Sequence, residues 1–171
     1  MKDKGGQLNI RRAVKTDIDR VMAILDTARH FMWSVGNVAQ WPEGYPARET
    51  IADDVEQGRG YVCCNEDGVP VAYFCFAPGP DATYAKIEGG KWLNDRHYHV
   101  IHRLASDGSA HGIGSRVIAW CKQHDGNLRM DTHSDNAVMQ ALAERNGFVR
   151  CGIIYVTNGT PRIAYQYLGS D

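Results

Sequence analysis

The chain has 171 residues, of which 43% are hydrophobic and 23% charged, and its formal net charge at pH 7 is −1. This composition excludes a disordered or collagen-like chain, and the balanced charge argues against a protein built mainly to bind nucleic acid. No apolar run reaches the roughly 18 residues of a membrane span, Met1–Gln7 has no apolar signal segment, and the five cysteines form no disulfide framework. We therefore expect a cytoplasmic protein with a single domain over residues 1–171, without a membrane or nucleic-acid partner.

The N-terminal half contains the patterns of three strands and two helices. Leu8 and Ile10 alternate with polar residues, as in a strand, and apolar residues then recur at helical spacing. Two apolar runs flank Asn65–Gly68, which predicts a hairpin. The predicted elements are a strand over 7–14, helices over 16–35 and 49–57, and strands over 61–64 and 69–76.

The second half alternates strands and helices after a polar segment, 82–96, to which we assign no element. A strand–helix–strand succession between about 98 and 132 predicts a parallel pair, whereas hairpins predict antiparallel pairing elsewhere. The simplest architecture is an α/β fold in which helices cover both faces of a mixed, mostly antiparallel sheet. Its predicted elements are a strand over 98–104, a helix over 112–123, a strand over 128–132, a helix over 137–145, and strands over 148–156 and 162–168.

A glycine-rich helix start follows the central strand. Gly112 and Gly114 open the helix, where free backbone N–H groups and the helix dipole favour a phosphate or pyrophosphate. The stretch is neither a Walker A motif nor a Rossmann fingerprint. On these residues alone, a tight turn before a helix stays an open alternative.

This stretch and a second one, which runs from Asn136 through a helix to Gly147-Phe148, together resemble the GNAT N-acetyltransferase superfamily. The chain is also similar to a bacterial branch that carries Trp-x-x-Gly-Tyr-Pro and Asp-Thr-His, here residues 41–46 and 131–133. The resemblance covers residues 7–168. It implies the acyl-CoA N-acyltransferase fold, in which a splayed parallel strand pair holds acetyl-CoA as the co-substrate.

The resemblance also implies where coenzyme A binds. The family signature Gln/Arg-x-x-Gly-x-Gly/Ala reads here as residues 109–114, with Ser109 in place of the usual Gln or Arg. Ala143 occupies the position of a Tyr that, in many members, protonates the leaving thiolate. The implied cofactor-binding residues are Leu104, Ala105, Ser106, Ser109, His111, Gly112, Ile113, Gly114, Ser115 and Asn136.

Transfer to an amine requires a base, for which the sequence offers three catalytic candidates. His102 lies in the central strand and has a suitable ordinary pKa, although a buried structural histidine is the alternative. Asp131 and His133 point the same way from the neighbouring strand end and could orient a base or hold an ammonium group. Their alternative role is a turn or cap. His97 and His99 lie on the opposite face from His102, so we predict no metal site.

Trp41, Glu43 and Tyr45 lie in the loop that borders the acceptor site in GNAT folds. An aromatic pair with a carboxylate suits an ammonium group; alternatively, the two rings only pack the loop. We interpret Lys91, Arg150 and Arg162 as solvated surface charges. 

The predicted function is acetyl-CoA-dependent N-acetylation of a primary amine on a small molecule or amino-acid-like substrate. The alternative is a non-catalytic acyl-CoA-binding module, which Ala143 favours. Because edge strands of such sheets commonly pair across a two-fold axis, we also expect a homodimer.

Overall fold

The computed structural model describes residues 8–170, which form a seven-stranded sheet with α-helices on both faces. The strands are β1 Asn9–Arg12, β2 Gly60–Cys64, β3 Pro70–Pro78, β4 His99–Ser106, β5 Asn127–Thr132, β6 Val149–Tyr155 and β7 Pro161–Leu168. The helices are α1 Ile18–Ser34, α2 Arg48–Glu56, α3 Ile113–His124 and α4 Ala137–Arg145. The prediction that concerned Met1–Gln7 lies outside the described residues.

The strand order is β1-β2-β3-β4-β5-β7-β6, and neighbouring strands are antiparallel except for the parallel pair β4–β5. This topology confirms the predicted fold class. No helix in the described part of the chain combines the length and the apolar character that crossing a membrane requires.

Each face of the sheet carries its own buried cluster. On one face, α3 and α4 pack on residues such as Phe74, Ile101 and Leu128. On the other face, α1 and α2 pack on Val62 and Tyr73. Burial of apolar side chains on both faces is what makes the central strands near-continuous hydrophobic runs in the sequence.

The polar segment between β3 and β4 packs on the face opposite α3 and α4. It contains a 3-10 turn, Ala82–Tyr84, and Tyr84 is completely buried. The backbone carbonyl of Tyr84 accepts a hydrogen bond from Trp92 Nε1 at 2.9 Å, and Leu93 N–H donates to Gln166 Oε1 at 2.8 Å. These buried contacts explain why a segment without regular periodicity has a defined path over the sheet.

A β-bulge interrupts β4. Phe74 of β3 stands opposite two residues of β4, Arg103 and Leu104, instead of one. Arg103 has a φ of 53°, a left-handed conformation that is uncommon for a residue with a long side chain. The extra residue places His102 and Arg103 on the same face. A regular strand over the predicted range 98–104 would place Leu104 on the face of His102, but the bulge turns Leu104 to the α3 side, where it packs.

A buried ion pair holds the bulge. Arg103 Nη2 donates to both carboxylate oxygens of Asp54 at 2.7 and 2.8 Å, and the Asp54 side chain has no exposed surface. Arg59 and Tyr73 donate two further hydrogen bonds to Asp54 at 2.8 and 2.5 Å. Burial alone raises the pKa of Asp54, but the Arg103 charge and these hydrogen bonds outweigh it and lower that pKa below its usual value.

We expect Asp54→Ala to lower the free energy of unfolding by about 3–5 kcal/mol, because it leaves the Arg103 guanidinium buried without a carboxylate. Asp53→Ala, which removes a half-exposed carboxylate of the same helix that pairs with Arg59, should cost about 0–1 kcal/mol. Urea denaturation at pH 7 measures both variants. Equal losses would show that the Asp54 ion pair does not support the fold.

Candidate active site

The parallel strands β4 and β5 stay together over a short distance. Their pairing consists of His99↔Leu128 and Val100↔Arg129, after which the strands separate. A cavity of about 400 Å³ opens between them, lined by Ile101–Leu104 of β4 and by Met130 and Asp131 of β5. The loop after α1, the segment after β3, α4 and the β6–β7 hairpin complete its walls.

His102 and Asp81 form a hydrogen-bonded pair in this cavity. His102 Nε2 lies 2.7 Å from Asp81 Oδ2. Burial alone raises the pKa of Asp81, but hydrogen bonds from His102 and Thr83 lower that pKa to about 2, so the carboxylate is ionised and can only accept a hydrogen bond. In the neutral imidazole the proton must then lie on Nε2, which leaves the Nδ1 lone pair free to act as a general base.

Asp81 is fixed by its neighbours as well as by His102. Its Oδ1 accepts hydrogen bonds from the backbone N–H and the hydroxyl of Thr83 at 2.9 and 2.6 Å, and its own N–H donates to Tyr98 Oη at 2.9 Å. Sequence reasoning missed Asp81. The Asp-x-Thr spacing signals a side-chain-capped turn, but nothing local in the sequence links it to a histidine 21 residues away.

Of the other two catalytic candidates, only Asp131 lines the cavity. Its Oδ2 accepts a hydrogen bond from the hydroxyl of Tyr84 at 2.6 Å, and burial together with the Asp131 charge raises the pKa of Tyr84, so this hydroxyl stays protonated. His133 follows the end of β5 and uses Nδ1 to accept the N–H of Asp135 at 3.0 Å. The structure therefore brings His102 and Asp131 together and leaves His133 in its own turn.

The three predicted acceptor-site residues have different surroundings. Trp41 and Tyr45 line the cavity with ring centroids 6.4 Å apart, Trp41 buried and Tyr45 exposed, whereas Glu43 is exposed and lies outside the lining. Gln40 ties this loop to the end of β5, since its Oε1 accepts hydrogen bonds from Thr132 Oγ1 at 3.2 Å and from Asn136 Nδ2 at 3.0 Å.

The start of α3 presents unpaired backbone donors. Within the described chain, no protein acceptor is found for the backbone N–H groups of residues 111–115, which precede and begin the helix. Gly112 has a φ of 72°, and no atom lies within 4 Å of the position that a Cβ there would occupy. This accessible row of N–H groups at a helix N-terminus fits a pyrophosphate. Gly114 serves packing instead, since a Cβ there would lie 2.8 Å from Leu142.

The loop between β4 and α3 is held by Asp107. Its carboxylate accepts hydrogen bonds from Ser109 N–H at 2.9 Å and from Arg20 Nη2 at 2.7 Å, and its own N–H donates to Val71 O at 2.9 Å. Ser106 Oγ accepts the N–H of Gly108 at 3.3 Å. The two predicted cofactor-binding serines, Ser106 and Ser109, thus belong to an ordered turn directly before the helix.

Asn136 and Ala143, the two residues of the α4 region that the family resemblance singled out, make contacts that stabilise the fold. Asn136 caps the helix, because its Oδ1 accepts the N–H of Met139 at 3.0 Å, and its Nδ2 donates to Gln40. Ala143 is completely buried in the cluster shared by α3 and α4 and does not line the cavity. From α4, it is Met139 that reaches the cavity wall.

His97, His99 and Asp125 meet at the other face of the sheet from His102. Their potential ligand atoms lie within 4.8 Å of one another, and His99 Nδ1 lies 2.7 Å from Asp125 Oδ2. His99 stacks on Phe76 at a centroid distance of 4.5 Å. This group is separate from the cavity and supplies a His–Asp pair that can be compared with His102–Asp81.

The comparisons with family models and with solved structures agree on one family. The model of the acetyltransferase (GNAT) family matches residues 20–148. A GNAT-family acetyltransferase from Streptococcus agalactiae is similar at 32% identity and a TM-score of 0.86, over 96% of each chain. A GNAT-family acetyltransferase from Listeria monocytogenes shares 18% identity and a TM-score of 0.72 over 97% of each chain. No curated protein matches the chain significantly.

A more distant likeness concerns the fold alone. The structure of the NatC complex bound to Gag peptide and CoA matches 96% of this chain and 99% of its own chain, with 13% identity and a TM-score of 0.55.

The lowered pKa of Asp81 predicts a stability contribution that depends on pH. Since the folded pKa is about 2 and the unfolded pKa is about 3.9, the contribution is fully present above about pH 4 and is lost as the pH falls through the folded value. It amounts to roughly 2–3 kcal/mol. Asp81→Asn should therefore flatten the fall of the free energy of unfolding between about pH 4 and pH 2.

Urea titrations of the wild type and Asp81→Asn at several pH values measure this slope. Asp95→Asn, which alters an exposed carboxylate of the same segment, is the matched control and should keep the wild-type slope. An unchanged slope in Asp81→Asn would mean that the hydrogen bonds to Asp81 do not stabilise its ionised form.

Proposed function

The chain belongs to the acetyltransferase (GNAT) family, and on that premise we propose that it transfers the acetyl group of acetyl-CoA to a primary amine on a small molecule or amino-acid-like substrate. The observation that carries the proposal is the His102–Asp81 pair in a cavity between the separated ends of β4 and β5. A base beside a cleft between strands is what amine acylation needs.

The residues around the cleft fit the co-substrate. The free N–H groups of residues 111–115 suit its pyrophosphate, and Gly112 leaves room for close approach. The strand end 104–106 has no β5 partner, so its backbone groups are available to the amides of the pantetheine arm, in the manner of an added strand. Acetyl-CoA supplies a thioester carbonyl as the electrophile.

His102 takes the amine proton in this proposal. An amine attacks only after its ammonium form has lost a proton. His102 Nδ1 can accept that proton, because only Nε2 of the ring is hydrogen-bonded to Asp81. Asp81 stabilises the resulting imidazolium through Nε2 and keeps the ring oriented. Asp131 adds a second negative charge to the wall, which attracts the ammonium form into the cavity.

The leaving thiolate needs no side-chain acid from α4. Ala143 is buried between α3 and α4, and no tyrosine lies between Asn136 and Phe148. The leaving group is an alkyl thiolate, like an ionised cysteine side chain, which is a weak enough base to leave before it takes up a proton. We propose that water protonates it, with the loss of the roughly 10²–10⁴-fold that a positioned acid contributes.

Amine-stimulated thiol release from acetyl-CoA tests the function. The purified protein is incubated with acetyl-CoA and a panel of primary amines and amino acids, and free thiol is followed with a chromogenic disulfide. Release that depends on both protein and amine supports the proposal. Acetyl-CoA binding by calorimetry without stimulated release by any amine would identify a binding module instead.

Gly112→Asp should weaken acetyl-CoA binding by at least about tenfold, since it places a side chain and a negative charge beside the free N–H groups. The matched control is Gly68→Asp in the β2–β3 turn, where the glycine also has a positive φ, 77°, and no atom lies within 4 Å of its Cβ position. Isothermal titration calorimetry gives both affinities. Retention of affinity within about threefold in Gly112→Asp would place the pyrophosphate elsewhere.

His102→Ala should lower kcat/KM at pH 7 by at least about tenfold, and the loss should shrink as the pH rises and the amine deprotonates without help. His99→Ala is the control, because His99 lies on the same strand as His102 and also pairs with an aspartate, Asp125, at 2.7 Å, but faces away from the cavity. A pH-rate profile for both variants decides the role of His102. A loss that is uniform over pH and accompanied by a lower Tm would assign His102 a structural role.

A further inference from the structure

Arg162, at the start of β7, is a buried arginine without a carboxylate partner. Its interpretation as a solvated surface charge is wrong, because only 7% of the residue is exposed. Its Nη1 donates to Thr160 Oγ1 at 3.1 Å and to the carbonyl of Pro161 at 3.0 Å. Within residues 8–170, no carboxylate oxygen lies within 4.0 Å of the guanidinium nitrogens.

Other arginines removed from solvent in the described chain have partners that account for their charge. Arg103 is paired with Asp54. The Arg129 guanidinium lies between two rings, 4.1 Å from the centroid of Trp92 and 3.9 Å from that of Tyr98. Arg162 borders the cavity, as Arg103 does, but it has neither the carboxylate partner of Arg103 nor the aromatic rings that enclose Arg129.

The position of Arg162 suits an anionic ligand. Burial lowers the pKa of Arg162, and the charge of Asp131 offsets this only in part, so the guanidinium lacks the compensation that a bound anion would supply. Its planar fork can hold a carboxylate through two parallel hydrogen bonds.

The same cavity has a negative side. Asp131 and the ionised Asp81 line it together with His102, and Asp131 does not form an ion pair with Arg162 although both border the same space. A cavity lined by two carboxylates and by a guanidinium that pairs with neither is complementary to a zwitterion. The ammonium group of the zwitterion would face Asp81, Asp131 and His102, while the carboxylate of the zwitterion would face Arg162.

We propose that Arg162 binds the carboxylate of the acceptor, and that the acceptor is a small molecule that carries both a primary amine and a carboxylate, as amino acids do. This inference rests on the proposed acetyl transfer and narrows it. A primary amine without a carboxylate would leave Arg162 buried and unpaired, and is therefore the poorer substrate.

Matched substrate pairs test the proposal. Each pair is an amino acid and its carboxamide, which keeps the amine and side chain but removes the negative charge. Thiol release from acetyl-CoA is measured for the wild type, Arg162→Gln, Arg162→Lys and Arg150→Gln. Arg150 is an exposed arginine of β6 in the same hairpin and is the matched control. Comparing variants on one substrate at a time cancels the difference in amine basicity within a pair.

For Arg162→Gln we expect KM for the amino acid to rise at least about tenfold, with kcat and the KM of the amide within about threefold of the wild type. Arg162→Lys should fall between the wild type and Arg162→Gln, because a point charge replaces the fork. Arg150→Gln should behave as the wild type. Equal effects of Arg162→Gln on both members of a pair, or no effect on either, would overturn the proposal, and a wild-type Tm confirms that the variant is folded.

The experiment distinguishes failure of the carboxylate site from failure of the proposed acetyl transfer. If no amine stimulates thiol release by the wild type, acetyl transfer is refuted, and Arg162 is then tested by calorimetric titration of the same amino acids in the presence of coenzyme A. Binding to the wild type that is weakened at least about tenfold in Arg162→Gln supports the carboxylate site. No binding, or equal binding to both proteins, overturns it.

Discussion

The ion pair between Arg103 and Asp54 is the constraint on which the geometry of the site depends. A left-handed backbone conformation at a long side chain costs on the order of 1–3 kcal/mol and persists only where surrounding contacts determine it. Here Asp54 of α2 receives hydrogen bonds from Arg103, Arg59 and Tyr73, and all of its surface is buried. The bulge that results bends β4 and increases its local twist. Pairing with β5 ends just before it, at Val100, and the cavity begins where the pairing stops.

The predictable part of this fold is the part that local periodicity encodes. Apolar repeats and turn residues indicated the strands, the helices and the parallel pair, because one buried face leaves a period of two or 3.6 in the sequence. The bulge leaves no such trace: Arg103 and Leu104 fit an alternating strand, and their displacement comes from Asp54, some fifty residues earlier, on another element. The path of the segment between β3 and β4 could not be predicted for a related reason. Contacts with side chains, such as the hydrogen bond from Leu93 N–H to Gln166, position this segment without a regular hydrogen-bond ladder.

The same distinction separates the site residues that could be predicted from those that could not. His102 stood out as a titratable residue in an apolar strand, and the glycines at the start of α3 stood out by their spacing. Asp81 and Arg162 did not, because each lies in a polar stretch next to a turn, where charged side chains are normally solvated. Their burial is produced by other elements: Asp81 meets His102 across β3 and β4, and Arg162 is covered by the walls of the cavity.

Unused hydrogen-bonding capacity distinguishes the structural Arg103–Asp54 pair from the His102–Asp81 pair that we propose to be catalytic. Arg103 and His102 are consecutive and face the same side, but their aspartate partners differ. Asp54, the partner of Arg103, accepts hydrogen bonds from three residues and is excluded from solvent, so it stabilises the fold and cannot exchange a proton with a ligand. The His102 and Asp81 side chains keep 27% and 22% of their surface exposed. Within the described chain, Nδ1 of His102 has no protein partner, so the ionised Asp81 can support proton transfer at an accessible atom.

The close packing of α4 on α3 also determines which side chains can reach the cavity. Gly114 lets Leu142 approach so closely that a Cβ would lie 2.8 Å from it, and Ala143 is enclosed in the same cluster. A phenol side chain at 143 would have to displace this core, which is packed too densely to accept it without strain. The same packing that holds α3, whose N-terminus carries the free N–H groups, thus excludes a tyrosine at 143, in agreement with the proposal that water protonates the leaving thiolate.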